Sequence, residues 1–278
     1  MASDDIEAHQ TSQLAGTMLE ALDACRQIAP VSDDDTGFDL AHAYRVTEAV
    51  RTRREARGER VVGRKIGFTN TTIWAEYRVF APIWGYVYDT TLHRLADLAA
   101  PFDASALVEP RIEPEIIFGL GRAPRPGMDE TALLSCVEWV AHGFEIVQSL
   151  FPGWRFAAAD TVAAFGLHGA LLVGAPEPIR PDARDSWQAA LSSFGIVLKR
   201  NGEAVDQGRA TNVMGGGPLT ALRHLVEVLP ETPDALPLAA GDVVTTGTLT
   251  RAMPIGPGQS WSTDLTGLPL RGATLALA

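Results

Sequence analysis

Two acids one residue apart inside an apolar run stand out in this 278-residue chain: Glu113 and Glu115, in Arg111-Ile112-Glu113-Pro114-Glu115-Ile116-Ile117-Phe118. In a strand, residues two apart project from the same face, so the two carboxylates would lie side by side. Adjacent carboxylates repel unless a cation or a proton sits between them. The apolar residues that follow imply burial, where unpaired charge is costly. A hard divalent cation, Mg²⁺ or Mn²⁺, resolves both problems, because carboxylate oxygens suit it. An exposed edge carrying two solvated acids is the other reading, and spacing alone leaves both open. A third acid, Glu145, sits in a second apolar run, Gly143-Phe144-Glu145-Ile146-Val147, as a ligand or a buried partner.

Three cations or near-neutral bases share such surroundings. Lys65 lies in Val61-Val62-Gly63-Arg64-Lys65-Ile66-Gly67-Phe68. It is either a lysine snorkelling from a strand end or an active-site cation that binds an anion or moves a proton. His142 lies one turn from Glu145, and His168 follows Phe165-Gly166-Leu167. Each is either a general acid or base, since histidine titrates near neutrality, or a hydrogen-bonded core residue. His224 reads as structural. Met214-Gly215-Gly216-Gly217-Pro218 has no Lys-Ser or Lys-Thr after it, so it is a tight turn before a helix near Leu219, not a phosphate loop.

The elements that must position these groups follow from periodicity and punctuation. Leu14, Met18, Leu19, Leu22 and Cys25 recur at helical spacing over residues 5–28. A second helix runs from Leu40 to Arg57, capped by Asp39 and stopped by Gly58, with arginines suited to its C-terminus. Strands are expected at 61–68, 112–120, 169–173, 195–200, 242–249 and 273–277, and a helix at 129–140. Arg200-Asn201-Gly202-Glu203 is a hairpin turn. The chain is therefore α+β, with a curled, barrel-like mixed sheet, flanking helices and a helical N-terminal segment. The boundary falls at residue 60: residues 1–60 form the helical segment and 61–278 the catalytic domain.

Composition bounds the function. Apolar residues make up 46% of the chain and charged residues 21%, as in a globular protein with a substantial core. A net charge of -11 argues against a nucleic-acid partner, which needs a basic surface. No apolar stretch approaches a membrane span, and Asp4, Asp5 and Glu7 stand where a secretory signal needs positive charge. The expectation is a cytoplasmic protein without a membrane or nucleic-acid partner. Cys25 and Cys136 lie far apart and read as small buried hydrophobes.

From Leu40 to the C-terminus the chain resembles the 2-keto-4-pentenoate hydratase and 4-oxalocrotonate decarboxylase group of the fumarylacetoacetate hydrolase superfamily. The resemblance rests on Val62–Thr69, Pro110–Ile116, Phe144–Ser149, Ala159–Ala163, Arg200–Glu203 and Gly241–Gly247, in that order. It implies the fumarylacetoacetate-hydrolase-like fold, with Mg²⁺ or Mn²⁺ held by Glu113, Glu115 and Glu145. It also implies an active-site Lys65 and a substrate-contacting Thr248. Arg111, Gln148 and Asp160, in the same segments, are assigned to the substrate, Asp160 alternatively to a supporting partner or helix cap.

The implied activity is hydration of a 2-hydroxydienoate or unsaturated 2-keto acid, in the catabolism of aromatic or related compounds, by a homo-oligomer of two or more copies. Decarboxylation of a 2-keto acid of the 4-oxalocrotonate type is the rival, followed by C–C bond hydrolysis. A non-catalytic scaffold subunit has no need of three intact acids. The pattern departs from the group at three places. Ile83 stands where many hydratases carry Asp, as in the decarboxylase branch. Leu150 replaces a common Arg, and Ala164-Phe165 replaces a common Asp-Asn pair. His142 and His168 are the residues that would compensate.

Overall fold

The computed structural model describes residues 2–278. Helices α1 (Ala2–Asp23), α2 (Val31–Asp34) and α3 (Leu40–Ala56) come first. Next are β1 (Val61–Gly67), the one-turn α4 (Trp74–Tyr77), β2 (Ile83–Tyr88), β3 (Leu92–Arg94) and the long β4 (Arg111–Leu120). The centre of the chain holds α5 (Glu130–Leu134), β5 (Val137–Val147), α6 (Ala158–Ala163), β6 (His168–Val173), β7 (Glu177–Pro178) and α7 (Arg184–Leu191). It ends with β8 (Gly195–Arg200), β9 (Glu203–Arg209), α8 (Pro218–Val228), β10 (Val243–Thr245), β11 (Met253–Pro254), β12 (Ser260–Thr266) and β13 (Thr274–Ala276).

The main sheet runs β2-β1-β10-β4-β5-β6-β3, with β11 added to β4 and β7 to β5. It is mixed: β1 pairs parallel with β10, whereas β4 pairs antiparallel with both β10 and β5. Both faces are covered, which explains why β4 and β5 lack clean alternation. One face of the β4–β5 pair carries Ile112, Phe144 and Ile146 into a core shared with Leu198, Trp261 and Leu275 of a second, four-stranded sheet, β13-β12-β8-β9. The expected Asn201-Gly202 turn joins β8 to β9 in that second sheet.

The N-terminal helices pack onto the site region. Met18 of α1 and Val46 of α3 share a buried cluster with Ile83, Leu150, Val162 and Phe165. As expected, Asp39 caps α3 by accepting a hydrogen bond from His42 N at 2.8 Å.

Several expectations are overturned. The helix expected at 129–140 ends at Leu134, and Val137 already begins β5. The run Val137-Glu138-Trp139-Val140-Ala141 is short, apolar and rich in strand formers, and ten paired positions on β4 outweigh its helix-like spacing. The strand expected at 242–249 stops at Thr245, because Gly247 takes the left-handed conformation (φ 92°). Helix α7 and strand β12 carried no recognised signal. Cys25 is exposed and only Cys136 is buried. Trp84 is buried in the core. Among the described residues no helix is long and apolar enough to cross a membrane.

Candidate metal centre and cleft

The register of β4 on β5 places Glu113 opposite Glu145 and Glu115 opposite Gly143, so all three acids share one face. One carboxylate oxygen from each lies within 4.8 Å of the others. Glu115 and Glu145 are completely buried, and Glu113 is half-buried at the cleft floor.

Each buried carboxylate has one engaged oxygen and one without a hydrogen bond. Glu115 Oε2 accepts from the Thr245 hydroxyl and, at 2.7 Å, from Gly247 N–H. Gly247 serves because a Cβ there would overlap the Thr69 hydroxyl at 1.8 Å. Glu145 Oε1 lies 2.7 Å from His168 Nδ1. Glu115 Oε1 and Glu145 Oε2 have no hydrogen-bond partner. Buried oxygens are rarely left so. Three hard anionic ligands with free lone pairs converging on one point fit a divalent cation.

The protonation pattern reflects the crowding. Burial pushes Glu113 up to about 7, with Glu145 adding to the rise and Lys65 opposing it. Burial, then Glu145 and Glu113, raise Glu115 well above the carboxylate range. Burial would also raise Glu145, but Lys65 and His168 outweigh it and hold that carboxyl below its ordinary value.

Lys65 comes from β1, where its register partner on β2 is Gly85. The side chain is fully enclosed, with Nζ 3.2 Å from Glu145 Oε2 and donating to Gly166 O at 2.9 Å. Burial alone would lower its pKa, but Glu145, Glu113 and Glu115 together hold it raised. Gly85 is needed where it stands: a Cβ would come 2.7 Å from the Phe165 carbonyl oxygen, in the turn that presents Gly166 O.

The two histidines part company. His168 touches the site, fixing Glu145 through Nδ1 while Nε2 lies 2.9 Å from Thr91 Oγ1. Burial lowers its pKa against the pull of Glu145. His142 is an odd number of residues from Glu145, so β5 turns it to the opposite face. There it donates from Nδ1 to Glu115 O at 2.9 Å and pairs with Thr263 Oγ1 of the second sheet at 2.8 Å. Burial drives it down to about 4. A neutral ring locked between two sheets has no access to the cleft.

The remaining assigned residues also separate. Thr248 lines the cleft beside Lys65 and Glu113, and its hydroxyl donates to Thr250 O at 3.0 Å. Arg111 sits at the rim, donating to the Tyr77 hydroxyl at 2.7 Å and stacking 4.2 Å from the Trp154 ring. Gln148 is buried behind the site, where Oε1 accepts from Val108 N–H and Nε2 donates to His168 O. Asp160 is not brought to the cleft. Its carboxylate accepts from Ser32 N–H, the Ser32 hydroxyl and Ala157 N–H, which caps α6 and ties down the N-terminal segment. Ile83, Leu150, Ala164 and Phe165, the positions that depart from the group's pattern, collect in one apolar cluster with that segment.

Thr245, Gly247, Gly166, Tyr77 and Trp154 also build the site and were not singled out from the sequence. The only signal for them was glycine inside apolar or threonine-rich runs, as at Gly166 and Gly247.

The curled mixed sheet with converging acids beside a buried lysine defines an enzyme of the fumarylacetoacetate-hydrolase-like class. No family model matches the sequence. The chain is 30% identical over 252 residues to the 2-hydroxyhexa-2,4-dienoate hydratase of Comamonas testosteroni, covering 90% of this chain and 92% of that protein. It is also 30% identical to the 4-oxalocrotonate decarboxylase of Pseudomonas sp. (strain CF600), with 87% of each chain covered. The structure superposes on the 4-oxalocrotonate decarboxylase of Pseudomonas putida G7, complexed with magnesium and adipate. The TM-score is 0.84 and the identity 26%, with 97% of this chain and 98% of that one covered. A yeast fumarylacetoacetate hydrolase family protein, 14% identical over 77% of this chain and 91% of its own, shares the fold at TM-score 0.53. The chain belongs to the family of 2-keto-4-pentenoate hydratases and 4-oxalocrotonate decarboxylases, and it is an enzyme of that type.

Proposed function

We propose that this chain is a divalent-metal-dependent hydratase that adds water to a 2-hydroxydienoate or related unsaturated 2-keto acid. The observation that carries the proposal is the convergence of Glu113, Glu115 and Glu145 on one point, with Glu115 Oε1 left without a partner and Glu145 Oε2 facing only Lys65 Nζ at 3.2 Å. Glu113, Glu115 and Glu145 would hold the cation, Mg²⁺ or Mn²⁺, which when bound would supply Lewis acidity toward a 2-keto acid.

The chain's own groups do the rest. Lys65 Nζ, aimed by Gly166 O and Glu145, presents a proton at the cleft wall for transfer to the dienol carbon. The Thr248 hydroxyl turns from Thr250 O to bond a substrate oxygen. Arg111, at the rim, braces Tyr77 and Trp154. His168 and, through it, Gln148 hold Glu145 in place and act as positioning residues. Phe68, Val147 and Leu167 exclude bulk water from the cleft.

Ultraviolet-monitored turnover of 2-hydroxypenta-2,4-dienoate, with Mg²⁺ and with EDTA, tests the proposal. Metal-dependent loss of the dienol with a hydroxy-keto acid as product is expected. A second reading, decarboxylation, is favoured by Ile83 and by the 0.84 TM-score to a decarboxylase. CO₂ release from 4-oxalocrotonate without dienol hydration would establish it instead. The catabolic setting and homo-oligomeric state implied by the resemblance, and the cytoplasmic location expected from the sequence, belong to the same proposal. Sedimentation of the purified chain tests the last of these.

A further inference from the structure

Thr248 has to give up a hydrogen bond before it can serve a substrate. Its hydroxyl donates to Thr250 O at 3.0 Å, and both residues are buried. A buried carbonyl oxygen left without a donor is costly. A second donor meets the same oxygen, however. Asn70 Nδ2 reaches Thr250 O at 3.1 Å, and a carbonyl has two lone pairs to accept both.

The orientation of the Asn70 amide is fixed by its other end. Oδ1 accepts from Thr72 N–H at 3.1 Å and from the Thr72 hydroxyl at 2.6 Å. A backbone N–H only donates, so the atom that faces Thr250 O is the nitrogen. Asn70 is itself buried. Neighbouring carbonyls of the same loop are held in the same way from other segments. The Thr69 hydroxyl donates to Thr246 O at 2.9 Å, and Asn212 Nδ2 donates to Leu249 O at 2.9 Å. Thr248 Oγ1 also accepts from Thr250 N–H at 3.3 Å, so only its hydrogen has to turn.

Building on the hydratase reading, we propose that Asn70 is a positioning residue for substrate binding: it keeps Thr250 O satisfied and so frees the Thr248 hydroxyl to turn onto a substrate oxygen. Asn70 acts through Thr248 and not on the substrate itself. Without its amide, Thr250 O depends on the Thr248 hydroxyl, and substrate binding has to strip that bond away.

The test is calorimetric binding of 2-oxopentanoate, a saturated 2-keto acid, to the full Mg²⁺-loaded chain. It compares wild type, Asn70→Leu, Thr248→Ala and the double variant. Leucine keeps the branched shape, offers no donor and fills the space a water would need. Asn70→Leu should weaken binding about fivefold to a hundredfold, the cost of baring a buried acceptor. In the Thr248→Ala background the same change should matter less than twofold, because Thr250 O is then bare before and after binding. In turnover of 2-hydroxypenta-2,4-dienoate the loss should fall on KM, with kcat within about twofold. Mn²⁺ affinity should stay within about twofold, since Glu115 is held by Thr245 and Gly247. Asn70→Ala takes the place of Asn70→Leu in the same cycle if the larger side chain prevents folding. Equal losses in both backgrounds, a parallel loss of Mn²⁺ affinity, or wild-type affinity in Asn70→Leu overturns the inference alone. Thr248→Ala without effect on binding overturns the substrate contact assigned to Thr248. A wild type that binds Mg²⁺ but not 2-oxopentanoate overturns the hydratase reading. Either of these last two results takes the inference with it.

Discussion

Replacing Glu115 by Gln should have opposite effects on the protein with and without metal. The side chain keeps its shape. Its amide oxygen inherits the bonds from Thr245 and Gly247 N–H, because both are donors. The amide nitrogen is then forced to the position of Oε1, the oxygen without a partner. Without metal this is an improvement. A carboxyl that its surroundings already strongly disfavour in the charged form gives way to a permanently neutral amide, and its nitrogen donates toward Glu145 and Glu113. Satisfying one buried polar atom is worth about 1–3 kcal/mol, and each kcal/mol moves the melting temperature of a chain this size by about 2–4 °C. The metal-stripped variant should therefore melt several degrees above the metal-stripped wild type.

With metal the sign reverses. The three ligand atoms lie within 4.8 Å of one another, so a cation among them sits near each. Losing one unit charge at about 4 Å from a divalent ion removes on the order of 8 kcal/mol of attraction at an effective dielectric constant of about 20. Relief of repulsion with a neighbouring carboxylate returns roughly 4 kcal/mol of that, leaving about a thousandfold in affinity. Saturating metal stabilises the wild type by about 2.7 kcal/mol at a hundred times Kd, and the variant should lose that gain. Calorimetric melting of both proteins, stripped and Mn²⁺-loaded, together with Mn²⁺ titration, reads every term. Mn²⁺ affinity within tenfold of wild type, or a stripped variant less stable than stripped wild type, would refute the reasoning.

The other predictions are shorter. His142→Ala should cost about 2–3 kcal/mol of stability, from two lost hydrogen bonds and a cavity, yet leave kcat within about twofold when folded protein is assayed. His168→Ala should weaken Mn²⁺ binding about tenfold to a hundredfold, as removal of a group that orients a ligand does; unchanged affinity would mean that Glu145 needs no such support. Gly85→Ala should lower kcat more than it changes Mn²⁺ affinity, since the added Cβ meets the Phe165 carbonyl and shifts the turn that aims Lys65. Burial pushes Tyr44 and Tyr86 up to about 12, above their unfolded value near 10, so both are neutral in the fold and oppose unfolding. That contribution is fully present below about pH 10 and is lost as pH rises toward 12. Tyrosinate absorbance from these residues should then appear together with unfolding in an alkaline titration, and ionisation near pH 10 in protein that remains folded would contradict their burial.

The chemistry of this site was largely legible in residue types. Acids in apolar runs are costly unless compensated, so Glu113, Glu115 and Glu145 announced themselves locally. The helices at 40–57 and near Leu219 and the 200–203 turn were also local matters, set by caps, periodicity and turn residues. Tertiary structure decided what local pattern could not. The long β4–β5 pairing converted a helix-like segment into a strand. That one change sent His142 to the far face and left His168, at the start of β6, against Glu145. Asp160 lies in a segment that carries the resemblance and reads from sequence as a substrate contact, a supporting partner or a helix cap; only the docking of Ser32, 128 positions away, shows where its oxygens go. The meeting of Tyr77 and Trp154 with Arg111 is equally invisible in sequence. Periodicity reports which face a residue takes within its own element, whereas what lies opposite that face is set by contacts between segments far apart in the chain.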